Sequence, residues 1–194
     1  MDEPKIKGAS IRECLLWHDR RYGHEETLLL TERLPPHHLA MLHPSQPALG
    51  ILGASWYPCS VVQSMCDRLL ELRGGDGREF ALAANREVMP RLMRGMYRMV
   101  LRTVGTPELY AQHVQRLWRR IHTTGERSIK ILSSDEAFSV VESWPGHHPL
   151  LCWMTIYTMA YIFEVMGYKR WSVDRVACVS QGGARCETIL RYRR

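Results

Sequence analysis

The sequence predicts an α+β fold. A helical N-terminal two-thirds packs on a C-terminal antiparallel four-stranded sheet that carries one buried helix, in the order β-β-α-β-β. Three observations carry this. Apolar residues recur at helical spacing as far as Gly125. From Ser128 the period changes to alternation, with Ile129 and Ile131 set against Lys130. The charge-free run Leu150 to Phe163 then separates two pairs of alternating segments. At 194 residues the chain fits a single domain, 1–194, with one core.

The elements follow in order. Lys5 to Ile11 reads as a short strand or extended lead-in. Ser10 is placed to cap a helix carrying Ile11, Cys14, Leu15 and His18, which Gly23 stops. Glu25 to Leu34 reads as a second helix, ended by Pro35-Pro36. Ala48 to Ala54 is small and apolar and leads into Trp56-Tyr57-Pro58, where the proline keeps its predecessor extended. Val61, Met65, Leu69 and Leu72 mark a helix that Gly74-Gly75-Asp76-Gly77 ends. Glu79 to Val104 is the longest helical signal, kinked or restarted at Pro90. Thr106-Pro107-Glu108 starts the next helix, with a capping hydroxyl, a proline in the first turn and an acid at the positive end of the dipole. That helix is expected to bury Tyr110, Val114, Leu117, Trp118 and Ile121. Two strands follow, joined around Ser134-Asp135-Glu136 and reaching Trp144. A buried helix spans Leu150 to Met166. Trp171 to Val179 and Arg185 to Tyr192 form the last two strands, hinged at Gln181-Gly182-Gly183.

The apolar part of Leu150 to Phe163 is too short to span a bilayer, which takes about 20 residues. The acidic start Met1-Asp2-Glu3-Pro4 has no apolar run behind it, so the chain reads as cytoplasmic. Its six cysteines are then thiols or metal ligands rather than disulfides. Net charge is +6, from 26 Lys and Arg against 20 Asp and Glu. Residues 91–120 hold seven Arg and one Glu and account for all of it. Arg91, Arg94, Arg98 and Arg102 would form one stripe on a continuous helix, with Arg116, Arg119 and Arg120 beside it on the next. A face this unbalanced suits an acidic partner, or it is a solvated face. No nucleic-acid-binding signature accompanies it, so nucleic acid is not expected.

Three cysteines fall where the sheet should be. Cys178 and Cys186 would oppose each other across a hairpin centred on Gly182, close enough for one metal ion to take both thiolates. Cys152 opens the buried helix, a fourth ligand would be needed for a tetrahedron, and Asp174 is the nearest acid upstream of Cys178. The alternative is that the thiols are small buried hydrophobes. His37, His38, His147 and His148 flank prolines and read as solvated loop residues. No nucleophile–base spacing is recognisable, and the glycine run before Arg78 is a turn rather than a phosphate loop, so no enzyme is expected.

The hairpin Cys178-Val-Ser-Gln-Gly-Gly-Ala-Arg-Cys186, with Thr188, Leu190 and Tyr192 after it, resembles the closing hairpin of 4-vinyl-reductase domains. These share a superfamily with haem-nitric-oxide-binding domains and the TRAPP vesicle-tethering subunits. From Lys7-Gly8 onward the chain is also similar to a family of comparable length from myxobacteria. That similarity rests on Arg21-Tyr22-Gly23, Leu34-Pro35, Ser55-Trp56-Tyr57-Pro58, Met96-Tyr97-Arg98, Thr106-Pro107-Glu108, Leu117-Trp118, Thr124-Gly125 and the three cysteines. The resemblance implies an α+β domain that is often dimeric. It also implies a structural zinc on three cysteines matching Cys152, Cys178 and Cys186, and on a glutamate whose place Arg175 takes here. It implies a hydrophobic ligand pocket, for which Trp56, Tyr57, Tyr97, Trp118, Trp153 and Tyr157 are candidates, with Tyr110 beside them. Haem is not expected: the Tyr-x-Ser-x-Arg signature is missing, and the helical candidates for an axial ligand are His113 and His122. Two readings lead, and an enzyme, which would need an acid, base and nucleophile clustered by the fold, is a third. One is a non-catalytic sensory or small-molecule-binding module with a structural zinc. The other is a TRAPP-like interaction adaptor, a homodimer or hetero-complex using the arginine-rich face.

Overall fold

A computed structural model describes residues 3–94, 99, 101–102 and 105–194. Strand β1 (Lys5–Lys7) leads into α1 (Gly8–Tyr22), α2 (His24–Leu29) and α3 (Pro36–Leu39). Strand β2 (Trp56–Pro58) returns antiparallel to β1, with Ile6 opposite Tyr57. Helices α4 (Cys59–Arg73), α5 (Arg78–Leu92) and α6 (Pro107–Trp118) follow among the described residues.

The β1–β2 pairing sets the start of α1. The Gly8 amide donates to the Ser55 carbonyl at 2.9 Å, and a Cβ on Gly8 would sit 2.2 Å from the Leu52 carbonyl oxygen. The chain can pass this close only as glycine, and the helix begins there, with Ser10 inside it rather than capping it. Helix α2 stops at Leu29, short of Leu34. Thr31 Oγ1 donates to the Leu28 carbonyl at 2.8 Å, a local bond that competes with helix continuation. Helix α3 and strand β2 are too short to leave a periodicity in the sequence.

The long helical signal from Glu79 does not run through. Helix α5 ends at Leu92, two residues past Pro90, whose ring blocks the bond back to the preceding turn. Arg91 and Arg94 therefore do not share one helix face; Arg98 and Tyr97 lie outside the described residues. Helix α6 starts as its sequence dictates: Pro107 is its first residue, and the Thr106 hydroxyl accepts from the Leu109 amide at 3.2 Å. We expect Thr106→Ala to lose about 1 kcal/mol of stability in a denaturant titration. Leu117 and Ile121 correct the burial reading, at 37% and 36% exposed. The inward stripe is Tyr110, Val114 and Trp118 at four-residue steps, which leaves Leu117 on its edge.

Strands β3 (Glu126–Ser133) and β4 (Glu136–Glu142) precede α7 (Pro149–Val165), and β5 (Arg170–Ala177) and β6 (Cys186–Arg193) follow it. All four pair antiparallel in the order β3-β4-β6-β5, the α+β arrangement the alternation predicts. Helix α7 is largely buried, with Met159, Ala160 and Phe163 fully enclosed. One flank packs on the sheet, where the Phe163 ring lies 4.7 Å from that of Tyr192. The other meets α5, where the Asn85 amide lies 3.1 Å from Thr158 Oγ1. Among the described residues no helix is long and apolar enough to cross a membrane.

Candidate metal centre

Cys152, Cys178, Cys186 and His147 come together at the N-terminal end of α7. One ligand atom from each lies within 4.8 Å of all the others. The three cysteines are 1–4% exposed, and His147 closes the group from the solvent side, half-buried.

Each residue is placed by a different local rule. Cys152 is in the first turn of α7, its amide bonded to the His148 carbonyl at 2.9 Å. Cys186 opens β6 opposite Val141. Cys178 is the residue after β5, where a bulge between Arg175 and Ala177 shifts the register. It is brought back by the turn at Val179–Gln181: the amides of Gln181 and Gly183 both donate to its carbonyl, at 2.9 and 3.0 Å. The two thiols are thus neighbours across the hairpin, as their spacing predicts, although the strands do not pair at Cys178.

His147 is the ligand the sequence reading missed. Ser143, at φ 50°, turns the chain out of β4, so Trp144 lies beyond the strand. A turn from Trp144 to His147 follows, closed by a 3.0 Å backbone bond. Gln63 of α4 donates to the His147 carbonyl at 2.8 Å, and the imidazole packs edge-on to Trp144 at 5.4 Å. Its Nε2 then lies 3.3 Å from Cys178 Sγ. His148 is not solvated either. Its Nδ1 accepts from the Leu150 amide at 3.1 Å, so its Nε2 carries the proton and donates to Asp67 at 3.1 Å. His38 is likewise buried, with Nε2 3.3 Å from Ser60 Oγ. Asp174 is a correction: it pairs with Ile189 on the exposed face of β5 and binds Arg191, away from the thiols. Alternation along the strand puts it on the wrong side.

The distances fit a tetrahedral ion. Zinc with Zn–S bonds near 2.3 Å sets its sulfurs about 3.8 Å apart. Cys178 Sγ is 3.9 Å from Cys152 Sγ and 3.8 Å from Cys186 Sγ, and all the described cysteines are free. A disulfide needs about 2.05 Å. The Cys186 thiol is held well below its ordinary range, because Cys152 and then His147 hydrogen-bond to its thiolate. The same pairing, with burial, pushes Cys152 up. Ser180 Oγ, 3.2 Å from Cys178 Sγ, adds a further polar contact to the sulfur. The other cysteines are inert by comparison: burial pushes Cys59 up to about 11 and Cys14 to about 12.

The aromatic candidates separate into packed groups. Tyr57 turns its hydroxyl toward the chain before β2, its Oη accepting from the Leu52 amide at 2.8 Å, and Trp56 lies under the Lys7 ammonium at 4.7 Å. Trp153 and Tyr157 stack on each other at 5.9 Å, and Tyr110 meets Phe163 at 6.1 Å. Trp118 stacks on His122 at 4.0 Å. Arg94, Arg102, Arg116, Arg119 and Arg120 are exposed, and Arg119 reaches Glu126 at 3.9 Å.

No family model matches the chain, and no curated protein matches it by sequence. Solved structures match its fold over almost all of its length. The Fe(II) unliganded H-NOX protein from K. algicida has a TM-score of 0.69 at 12% identity, covering 97% of each chain. The H-NOX protein from S. oneidensis in the Fe(II)NO ligation state has 0.69 at 12%, covering 97% of this chain and all of that one. A mutant of T. tengcongensis H-NOX has 0.62 at 11%, covering 97% and 98%. The expectation that haem is foreign to the chain is opposed by these structures, which are described as ferrous and, for another of them, in terms of heme distortion. The two helical histidines named for the iron do not fit it. His113 faces solvent on α6, and His122 lies past the end of α6, its ring enclosed by Trp118 and Trp144.

Proposed function

We propose that the chain is a non-catalytic sensory module for a small molecule, its C-terminal hairpin pinned to α7 by a structural zinc on His147, Cys152, Cys178 and Cys186. The observation that carries the zinc is the donor set itself: Cys178 Sγ at tetrahedral edge distances from two further buried thiols, with an imidazole closing the group. Four protein ligands fill a tetrahedron and leave no open position for water or substrate, so the ion would be structural. Likeness to H-NOX proteins solved in ferrous and nitric-oxide-ligated states supports the sensory half. The ion would tie the β5–β6 turn to the start of the core helix, so that a change in α7 is felt at the hairpin.

Elemental analysis with an absorbance scan tests this. The purified chain is expected to carry one zinc, to lose it in His147→Ala and to keep it in Asp174→Asn. Metal-free wild-type protein, or zinc retained by His147→Ala and lost by Asp174→Asn, would overturn the assignment. A Soret band in the same scan would assign the sensed ligand to haem chemistry.

A further inference from the structure

We infer that Arg127 anchors a buried site for a monocarboxylate with an apolar body. Arg127 is the second residue of β3, faces the interior and is 7% exposed. Its Nη2 donates to the Thr155 carbonyl of α7 at 3.3 Å. Its Nε is buried and has no partner. Among the described residues no carboxylate pairs with it. A guanidinium stays charged in any protein environment, and a buried charge without a counter-charge is costly.

Two other arginines with well-covered side chains meet that cost with acids. Arg175 pairs with Asp76 at 3.3 Å, and Arg68 with Glu32 at 2.6 Å and Glu71 at 3.2 Å. Among the described residues half-buried Arg12, like Arg127, has a peptide carbonyl and no carboxylate, the carbonyl of Ile51 at 2.9 Å; Arg127 is the more enclosed of the two. A second donor beside it is also unmet. Gln115 of α6 accepts the Arg127 amide on Oε1 at 2.6 Å, which leaves its buried Nε2 without a partner. Two unpaired N–H donors and one uncompensated positive charge thus occupy the layer between α6, β3 and α7.

That chemistry selects its ligand. One positive charge is matched by one carboxylate, which can accept from the free guanidinium Nε. A phosphate group, near −2 at neutral pH, would bring surplus charge into the interior. The ring of Trp118, 5.9 Å from the guanidinium, belongs with buried Tyr110, Val114 and His122 to the neighbouring wall, which suits an aliphatic or aromatic body. The inference deepens the small-molecule half of the sensory reading and is independent of the zinc.

The test is thermal melting and calorimetry on the zinc-loaded full chain with benzoate and octanoate. Benzyl alcohol, octanol and inorganic phosphate are the controls. At least one acid is expected to raise the melting temperature where its alcohol and phosphate do not. Arg127→Met should weaken that binding roughly tenfold or more. Without ligand, Arg127→Met should melt at or above the wild type, because the unpaired charge is gone. The inference is overturned if ligand-free Arg127→Met melts several degrees lower, which would make Arg127 a structural residue. Silence of both acids, or an equal response to alcohols or phosphate, also overturns it. Zinc content measured on the same samples separates these failures from loss of the metal.

Discussion

Removing the proposed zinc from the purified chain with a chelator is expected to lower its melting temperature by about 8–16 °C. A ligand held at a thousand times its dissociation constant adds about 4 kcal/mol to folding. Each kcal/mol moves the midpoint by about 2–4 °C at this chain length. The reason for so large an effect lies in what else holds the hairpin. Val179 is 44% exposed, and Ser180 to Gly182 have little around them but solvent. Without the ion, the site leaves three thiols and an imidazole packed together, with the Cys186 thiolate held by its neighbours alone. The loss should begin locally, as faster amide exchange from Cys178 to Cys186 before the sheet melts. Cys178→Ser should reproduce it without chelator. A midpoint that moves by no more than a degree or two on chelation would show that the hairpin is held by its own packing.

Part of this centre was legible in the sequence. The alternation after Ser128 defines the sheet, and the glycine turn sets Cys178 and Cys186 face to face. Cys152 is legible because a helix following a strand pair must lie on the sheet, with its first turn near the strand ends. His147 was hidden because its place depends on a left-handed Ser143, a proline turn and a bond from Gln63 of a distant helix. None of these leaves a period in the sequence. Asp174 was attractive by distance along the chain, and β5 alternation turns it outward to Arg191. The same contrast runs through the fold. Thr106-Pro107-Glu108 encodes a helix start in three residues and is obeyed. The start of α1 is set by strand pairing and by the narrow space over Gly8, which only the folded chain reveals. The uncompensated Arg127 had no sequence signal, since what distinguishes it is the acid missing from its surroundings.

Acidification below pH 6.5 is expected to destabilise the metal-free protein by about 1.4 kcal/mol per pH unit for each histidine that folding holds neutral. Two carry most of this. Burial, with the charge of Arg127, lowers His122 to about 3. Burial, with Arg73, lowers His18 to about 4. Their geometry gives the cause. His18 Nδ1 donates to Thr27 Oγ1 at 2.9 Å, whose own proton goes to the Gly23 carbonyl, and His18 Nε2 has no partner to receive a proton's charge. His122 lies between the rings of Trp118 and Trp144, its Nδ1 also unpartnered. Because both folded values lie below the unfolded one, the unfolded chain binds more protons throughout this window. Stability is therefore full above about 6.5 and is lost as pH falls toward 4 and then 3. His24 works in the opposite sense. Its bond to Asp19, then that to the Pro44 carbonyl, raises its value, so its contribution is present in acid and is lost as pH rises through the folded value. It cannot produce the acid loss. His122→Phe keeps a ring against Trp118 and removes one titration. Denaturant melts of both chelated proteins between pH 6 and 4 should then differ in slope by about one proton. Equal slopes would mean that His122 takes up its proton in the folded state as readily as in the unfolded chain, and that the aromatic enclosure does not set its charge.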